Sequence, residues 1–307
     1  VAVLPEVRQR GIGHEMMLWS LAEMKRRGHA LAALYAFRES YYRRLGYEVV
    51  GRRFKLTVPQ HRLPRLDVDM LLRQLTTSDL HLLDPCYREF GRKVAGVNHR
   101  TAHQWNQRMG KTPPLIYAVG DPVQAYAWVS FEGTFWEPLT VGEFVYSSIE
   151  SYRNLLGALA GLCINRSALV WYEPSTGPYL TRYLDQGSIA ALERPAMFRV
   201  LDVPAALRCL LPLPGLSGEF TFEVDDPQMP ENSGPWRVIY DADGVIVTRC
   251  DEAALHFDVP TFTQALLGEP SLTQLMSEGW VRVDDPRQSA AAEALLYPQP
   301  VCLLDFF

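Results

Sequence analysis

Four residues near the start of the chain have types and spacing suited to binding an anion: Arg8, Arg10, Gly11 and Gly13, in the run Arg8-Gln9-Arg10-Gly11-Ile12-Gly13. If a helix begins at Gly11, the backbone N–H groups of its first turn have no intrahelical acceptor, and the helix macrodipole adds a partial positive charge there. A pyrophosphate is stabilised in such a place. Glycine at 11 and 13 lets the backbone approach the ligand, and arginine pairs phosphate oxygens with a planar, forked donor set. Two common phosphate motifs do not fit. No Lys-Ser or Lys-Thr follows Gly13, as a P-loop requires, and Met16 stands where a dinucleotide fingerprint would carry its third glycine.

The elements that must position this turn are legible around it. Val1 to Leu4 reads as a short apolar strand leading through Pro5 into the turn, and Ile12, Met16, Leu18, Trp19, Leu21 and Met24 recur at mostly helical spacings. Lys25-Arg26-Arg27-Gly28 supplies the basic residues and glycine that close a helix. Leu31 to Tyr35 reads as a strand. Glu39-Ser-Tyr-Tyr-Arg-Arg-Leu-Gly-Tyr47 then reads as a short helix, with Gly46 as a left-handed cap, entering a strand from Glu48 to Val58.

In this order the two segments resemble the GNAT N-acetyltransferases: Arg8, Gly11 and Gly13 match the family's acyl-CoA motif, and Tyr41 to Tyr47 its Phe/Tyr-Tyr-x-x-x-Gly-Phe/Tyr signature. The chain reads as lacking the elements that precede the acyl-CoA strand in such a domain, with much of one wall of the acceptor pocket.

The remainder sets the domain organisation. At 307 residues a single core is near its practical ceiling, and 48% apolar with 21% charged residues describes a folded chain. A formal charge of -5 gives no electrostatic case for nucleic acid, and the longest apolar run, from Leu155 to Ile164, is too short to span a bilayer. Five single cysteines without a Cys-x-x-Cys pair point to a reducing, cytoplasmic setting. Pro59 to Arg65 reads as a linker, which divides the chain into residues 1–58, 59–195 and 196–307. The middle part shows an α+β order with no second Arg-x-x-Gly-x-Gly. The last begins Leu201-Asp-Val-Pro-Ala-Ala-Leu207 and ends in an apolar run expected to be a buried strand. His99 and His103 have the four-residue spacing of a helical metal pair, but no third ligand lies near them in sequence and Arg100 lies between them, so no metal is expected.

Taken whole, the chain resembles the Eis family of bacterial N-acetyltransferases: an α+β protein of tandem GNAT-like folds, the first incomplete, followed by a sterol-carrier-protein-like α/β domain. That resemblance implies acetyl-CoA as co-substrate, a primary amine as acceptor (an aminoglycoside, a polyamine or a lysine-like group), and a homo-oligomer, commonly a hexamer. It implies main-chain contacts to pantetheine from Val1 and Val3, and pyrophosphate binding by Arg8, Gln9, Arg10, Gly11, Ile12 and Gly13. Tyr42 takes the family's general-acid position, with Tyr41 as the packing residue. The terminal carboxylate of Phe307 takes that of the general base. Phe37-Arg38 departs from the small or acidic residues associated with the family at that place. The alternative reading is an apolar-ligand carrier with a vestigial acyltransferase unit.

Overall fold

A computed structural model describes residues 2–110, 113–131, 133–193 and 196–305. By contacts the chain divides into two units, Val1–Gly51 with Pro195–Gln299, and Arg52–Arg194 with Pro300–Phe307. Of the three parts read from the sequence, 1–58, 59–195 and 196–307, contacts group most of the first with most of the third and place residues 300–307 with the second.

In the first of these units the helix Ile12–Arg26 starts after Gly11, whose φ of 81° is left-handed and suits glycine, and closes on Gly28 at φ 84°. Met17 and Leu21 bury its inner side, while Trp19, expected on the apolar face, is 68% exposed. The strand Leu31–Leu34 pairs antiparallel with Met197–Val200, which in turn pairs antiparallel with Glu48–Val49. A strand from late in the sequence thus supplies the middle of this small sheet. Lys25 adds a salt bridge to Glu231 and a hydrogen bond to Asn232.

The remainder of this unit is a five-stranded sheet in the order Gly244–Arg249, Gly234–Asp241, Gly218–Asp225, Leu255–Asp258, Arg282–Val283. Alternation puts Phe220, Phe222 and Val224 on the buried face. The helices Val203–Arg208 and Val259–Leu267 start on Asp202 and Asp258, whose carboxylates accept from the N–H of Ala205 and Thr261 at 2.8 Å. Phe222 and Phe262 stack at 5.2 Å between sheet and helix.

The second unit is built on a seven-stranded sheet, ordered Leu72–Leu75, Leu115–Val119, Ala125–Ser130, Leu139–Tyr146, Ala168–Pro174, Arg53–Pro59, Ile189–Leu192. Its neighbours are antiparallel except Leu139–Tyr146 and Ala168–Pro174, which run parallel and are connected through the helix Ile149–Leu162. Period-two alternation splits one strand between two cores. Ala125, Ala127 and Val129 face Leu155, Leu159 and Trp171, while Tyr126 and Trp128 face Tyr87, Phe90 and Trp105.

Several sequence expectations are corrected here. Ala2 to Leu4 is not a strand, and Pro5–Val7 forms a single 3-10 turn, because no described strand offers this segment a ladder partner. The strand expected from Glu48 to Val58 is two strands, Glu48–Val49 and Arg53–Pro59, in different sheets, separated by Gly51 at φ 82°. In the described part of the apolar tail, residues 301–305, the β-pairing is an isolated bridge between Val301 and Ala95.

Candidate active site

A cleft of about 620 Å³ in the first unit is lined by Val3, Arg8, Gln9, Gly11, Ile12, Gly13 and His14, and by Met17, Phe37, Tyr41 and Tyr42. Most of the residues singled out by spacing thus come together. Arg10 is exposed and lies outside this lining. Val1 and Phe307 lie outside the described residues. Sequence reading passed over His14, Val7 and Met17 as site residues, and noted Phe37 only as a departure from a pattern.

The turn is held by local geometry. Gln9 takes a left-handed φ of 63°, unusual for a residue with a side chain, and Gly11 follows at 81°. The helix opens with the N–H groups of His14 and Glu15 both on the Gly11 carbonyl, at 2.9 and 3.0 Å. The N–H groups of Ile12 and Gly13 therefore stand at the open helix end. Arg8 donates from Nε to the Val3 carbonyl at 3.0 Å, so the carbonyl expected to serve a ligand is engaged by the arginine. At Gly13 an added Cβ would lie 3.3 Å from the Tyr41 hydroxyl and 3.4 Å from Val3 Cγ2. A methyl there would press into the lining of the cleft. A glycine cradle, an open helix terminus and a nearby guanidinium fit the phosphate end of a nucleotide-bearing co-substrate.

Three aromatic rings, Phe37, Tyr41 and Tyr42, complete the lining. Tyr42 is 8% exposed and meets Phe37, Tyr41 and Tyr47 edge-on, with centroid distances of 5.5, 5.1 and 6.0 Å. Burial, and secondarily the neighbouring Tyr41, raise the Tyr42 pKa above the ordinary tyrosine value. Its phenol therefore stays protonated through the neutral range. Both Tyr41 and Tyr42 line the cleft, and Tyr42 is the more deeply packed of the two.

The second unit holds polar clusters that spacing did not reveal. Arg100 donates to both Glu143 oxygens, at 2.9 and 2.6 Å, and from Nε to Asp305 at 3.0 Å, with its guanidinium 4.1 Å from the Tyr87 ring centroid. Tyr126 donates to Glu143 and Tyr87 to Asp305. The side chain between the two histidines thus points into an ionic core. Among the described residues no group of three His, Cys, Asp or Glu side chains is arranged to hold a metal ion. A second buried carboxylate, Glu173, accepts from Trp171 Nε1 at 2.9 Å and the Tyr179 N–H at 3.1 Å. Burial raises its pKa to about 7, against donors that lower it.

A helix N-terminus and a protonated tyrosine thus line one cleft. Residues 1–50 match the acetyltransferase (GNAT) domain family, and residues 203–303 match the sterol carrier protein domain family. An uncharacterized N-acetyltransferase of Streptomyces coelicolor is 27% identical over 96% of this chain and 76% of its own length, and one of Streptomyces avermitilis is likewise 27% identical over the same shares. Among solved structures, the GCN5-related N-acetyltransferase from Anabaena variabilis is similar in fold, with a TM-score of 0.90 at 18% identity over 100% of this chain and 80% of that one. Eis1 from Mycobacterium abscessus is similar with a TM-score of 0.80 at 21% identity, over 100% of this chain and 81% of that one. In its domain make-up the chain is similar to N-acetyltransferases, with a segment that matches the GNAT acetyltransferase domain followed by one that matches the sterol carrier protein domain.

Proposed function

We propose that the protein transfers an acetyl group from acetyl-CoA to a primary amine by direct attack. The observation that supports this best is a single cleft lined by both the Arg8–Gly13 turn and the protonated Tyr42. Bound there, acetyl-CoA would supply the thioester carbonyl. The N–H groups of Ile12 and Gly13, with Arg8, would hold the pyrophosphate. As the amine nitrogen bonds to the carbonyl carbon and the C–S bond breaks, Tyr42 would deliver its proton to the departing sulfur. The amine's proton would pass to the terminal carboxylate of Phe307, a role that rests on resemblance to the Eis family. Aminoglycosides, polyamines and lysine-like amines are the acceptor classes that resemblance suggests, and a homo-oligomer is its expected assembly. In the carrier alternative the last domain would need a ligand cavity, whereas Phe220, Phe222, Phe257 and Phe262 pack against one another between its sheet and helices.

The test is CoA titration and amine acetylation by the whole protein and by Gly11→Asp. Asp at φ 81° adds backbone strain and sets a carboxylate where the phosphates would bind. Loss of CoA binding with an unchanged circular dichroism spectrum is expected. An unchanged CoA dissociation constant would remove the turn from the site.

A further inference from the structure

Tyr42 sits on a helix of five residues, Glu39–Arg43, too short to hold its place by its own backbone bonds. Its end is tied off locally. The Tyr42 carbonyl accepts from the N–H groups of Leu45 and Tyr47, at 2.9 and 3.2 Å, and Gly46 turns the chain at φ 79°. What backs that end comes from residues after 195. Arg199, fully buried on the strand Met197–Val200, packs so closely on Gly46 that an added Cβ would lie 2.9 Å from its Cζ. Gln228 donates to the carbonyl of Arg44, the residue that closes the helix, at 3.1 Å. Met229 shares one core with Tyr42, Leu45 and Tyr47.

Arg199 is itself firmly mounted. Its Nη2 donates to Asp226 at 2.7 Å and its Nη1 to the Val200 carbonyl at 3.0 Å. Asp226, also fully buried, accepts in addition from the Met229 N–H at 3.1 Å and the Asn232 side chain at 2.9 Å. A buried pair with these added hydrogen bonds keeps one geometry, because displacing either member leaves an unmatched charge in the interior. The same carboxylate thus fixes both the guanidinium under Gly46 and the start of the loop that presents Gln228 and Met229. That loop lies in the segment matched by the sterol carrier protein family. A general acid must stand within hydrogen-bond reach of its target, and a displacement of about 1 Å can cost about 10²-fold in rate.

We propose that Arg199 and Gln228 are positioning residues for Tyr42, acting through Gly46 and the Arg44 carbonyl, so that the sterol-carrier-like segment holds the proton donor in place. This rests on the reading of Tyr42 as that donor.

The test uses the whole protein labelled with ring-13C tyrosine and follows the Tyr42 NMR resonance, assigned by its loss in Tyr42→Phe. It also measures kcat for acetyl transfer to spermidine and the CoA dissociation constant. Arg199→Met would leave Asp226 unmatched and endanger the fold, so Gln228→Ala, at a half-buried side chain, carries the test. Gln228→Ala should move or broaden the Tyr42 resonance and lower kcat about tenfold, with CoA affinity unchanged. The Tyr240 resonance, from the far end of the strand Gly234–Asp241, should stay where it is, which separates the effect from a general loosening of that sheet. Gln228→Lys keeps a donor and should restore both readings. In the Tyr42→Phe background Gln228→Ala should cost no further turnover, since the two act through one hydroxyl. An unmoved Tyr42 resonance, or an equal loss of kcat in both backgrounds, overturns the proposal. No acetylated spermidine from the unmodified protein, or native turnover in Tyr42→Phe, would instead refute the proton-donor reading, and the resonance alone then decides whether Gln228 positions that ring.

Discussion

Arg8 and Arg100 carry the same guanidinium, yet they answer to different demands. Arg100 is buried, with its guanidinium committed to Glu143 and Asp305 and packed on Tyr87. Arg8 is exposed at a cleft and ties Nε to the Val3 carbonyl. A buried charge must be matched inside the protein, because desolvation otherwise outweighs whatever the charge contributes. At the mouth of a cleft water keeps the charge solvated, and it can be turned toward a ligand. Changes in the ionic core should therefore move stability without moving CoA affinity, and changes in the cleft should move CoA affinity or turnover without moving stability.

The largest effect is expected at the cleft. Tyr42→Phe should lower kcat by about 10² to 10⁴-fold with the CoA dissociation constant unchanged, the range typical of a lost general acid. Removing Phe307 should also reduce turnover sharply. Native turnover in both variants would return Tyr42 to a packing role and the terminal carboxylate to a bystander.

In the ionic core, Arg100→Ala leaves Glu143 and Asp305 without their main partner. Loss of about 3–5 kcal/mol is expected in denaturant unfolding. If CoA affinity weakens in parallel with stability, the separation between the two regions fails.

A third experiment uses pH. Glu173 has a folded pKa of about 7, raised by burial above its ordinary value. Below its unfolded pKa the carboxyl is protonated in both states and its contribution to stability is fully present. As pH rises toward 7 the unfolded chain releases the proton first, so stability falls and then levels off. The span corresponds to roughly 3 kcal/mol. Glu173→Gln should flatten the fall between about pH 4.5 and 7, as read from urea midpoints across that range. An equally steep fall in the variant would assign the slope to other groups.

The smallest change is Gly13→Ala. Its Cβ would meet the Tyr41 hydroxyl and Val3 at 3.3 and 3.4 Å, a tight fit that should cost about 1 kcal/mol, or roughly fivefold in CoA affinity. The melting temperature should barely move. A fall in melting temperature with full CoA affinity would place the strain in packing instead of the cleft.

Local rules explain what could be read in advance. The Arg8–Gly13 turn, the helix after it and the cap at Gly28 are set by residues close in sequence, as are the helix starts at Asp202 and Asp258. The strands Gly218–Asp225 and Gly234–Asp241 showed in their alternation. The short helices Pro178–Arg182 and Leu272–Ser277 and the strands Ile189–Leu192 and Arg282–Val283 were passed over, because segments of two to six residues are too brief for a period to show. The break at Gly51 was hidden for a different reason: residues 48–58 are compatible with one strand, and only the partners available on each side divide them.

The sequence by itself determined the Arg8–Gly13 turn, the tyrosine pair on its short helix and the capped helices of the last domain, since each depends on backbone groups within a few residues of one another. Only the tertiary structure decided that Met197–Val200 would pair with Leu31–Leu34, that Arg100 would meet Glu143 and Asp305, and that Phe37 would stand over Tyr42 at the edge of the cleft. The physical reason is that hydrogen-bond partners, burial and the pairing of charges depend on which distant segments come together, and one chain's local spacing does not encode that.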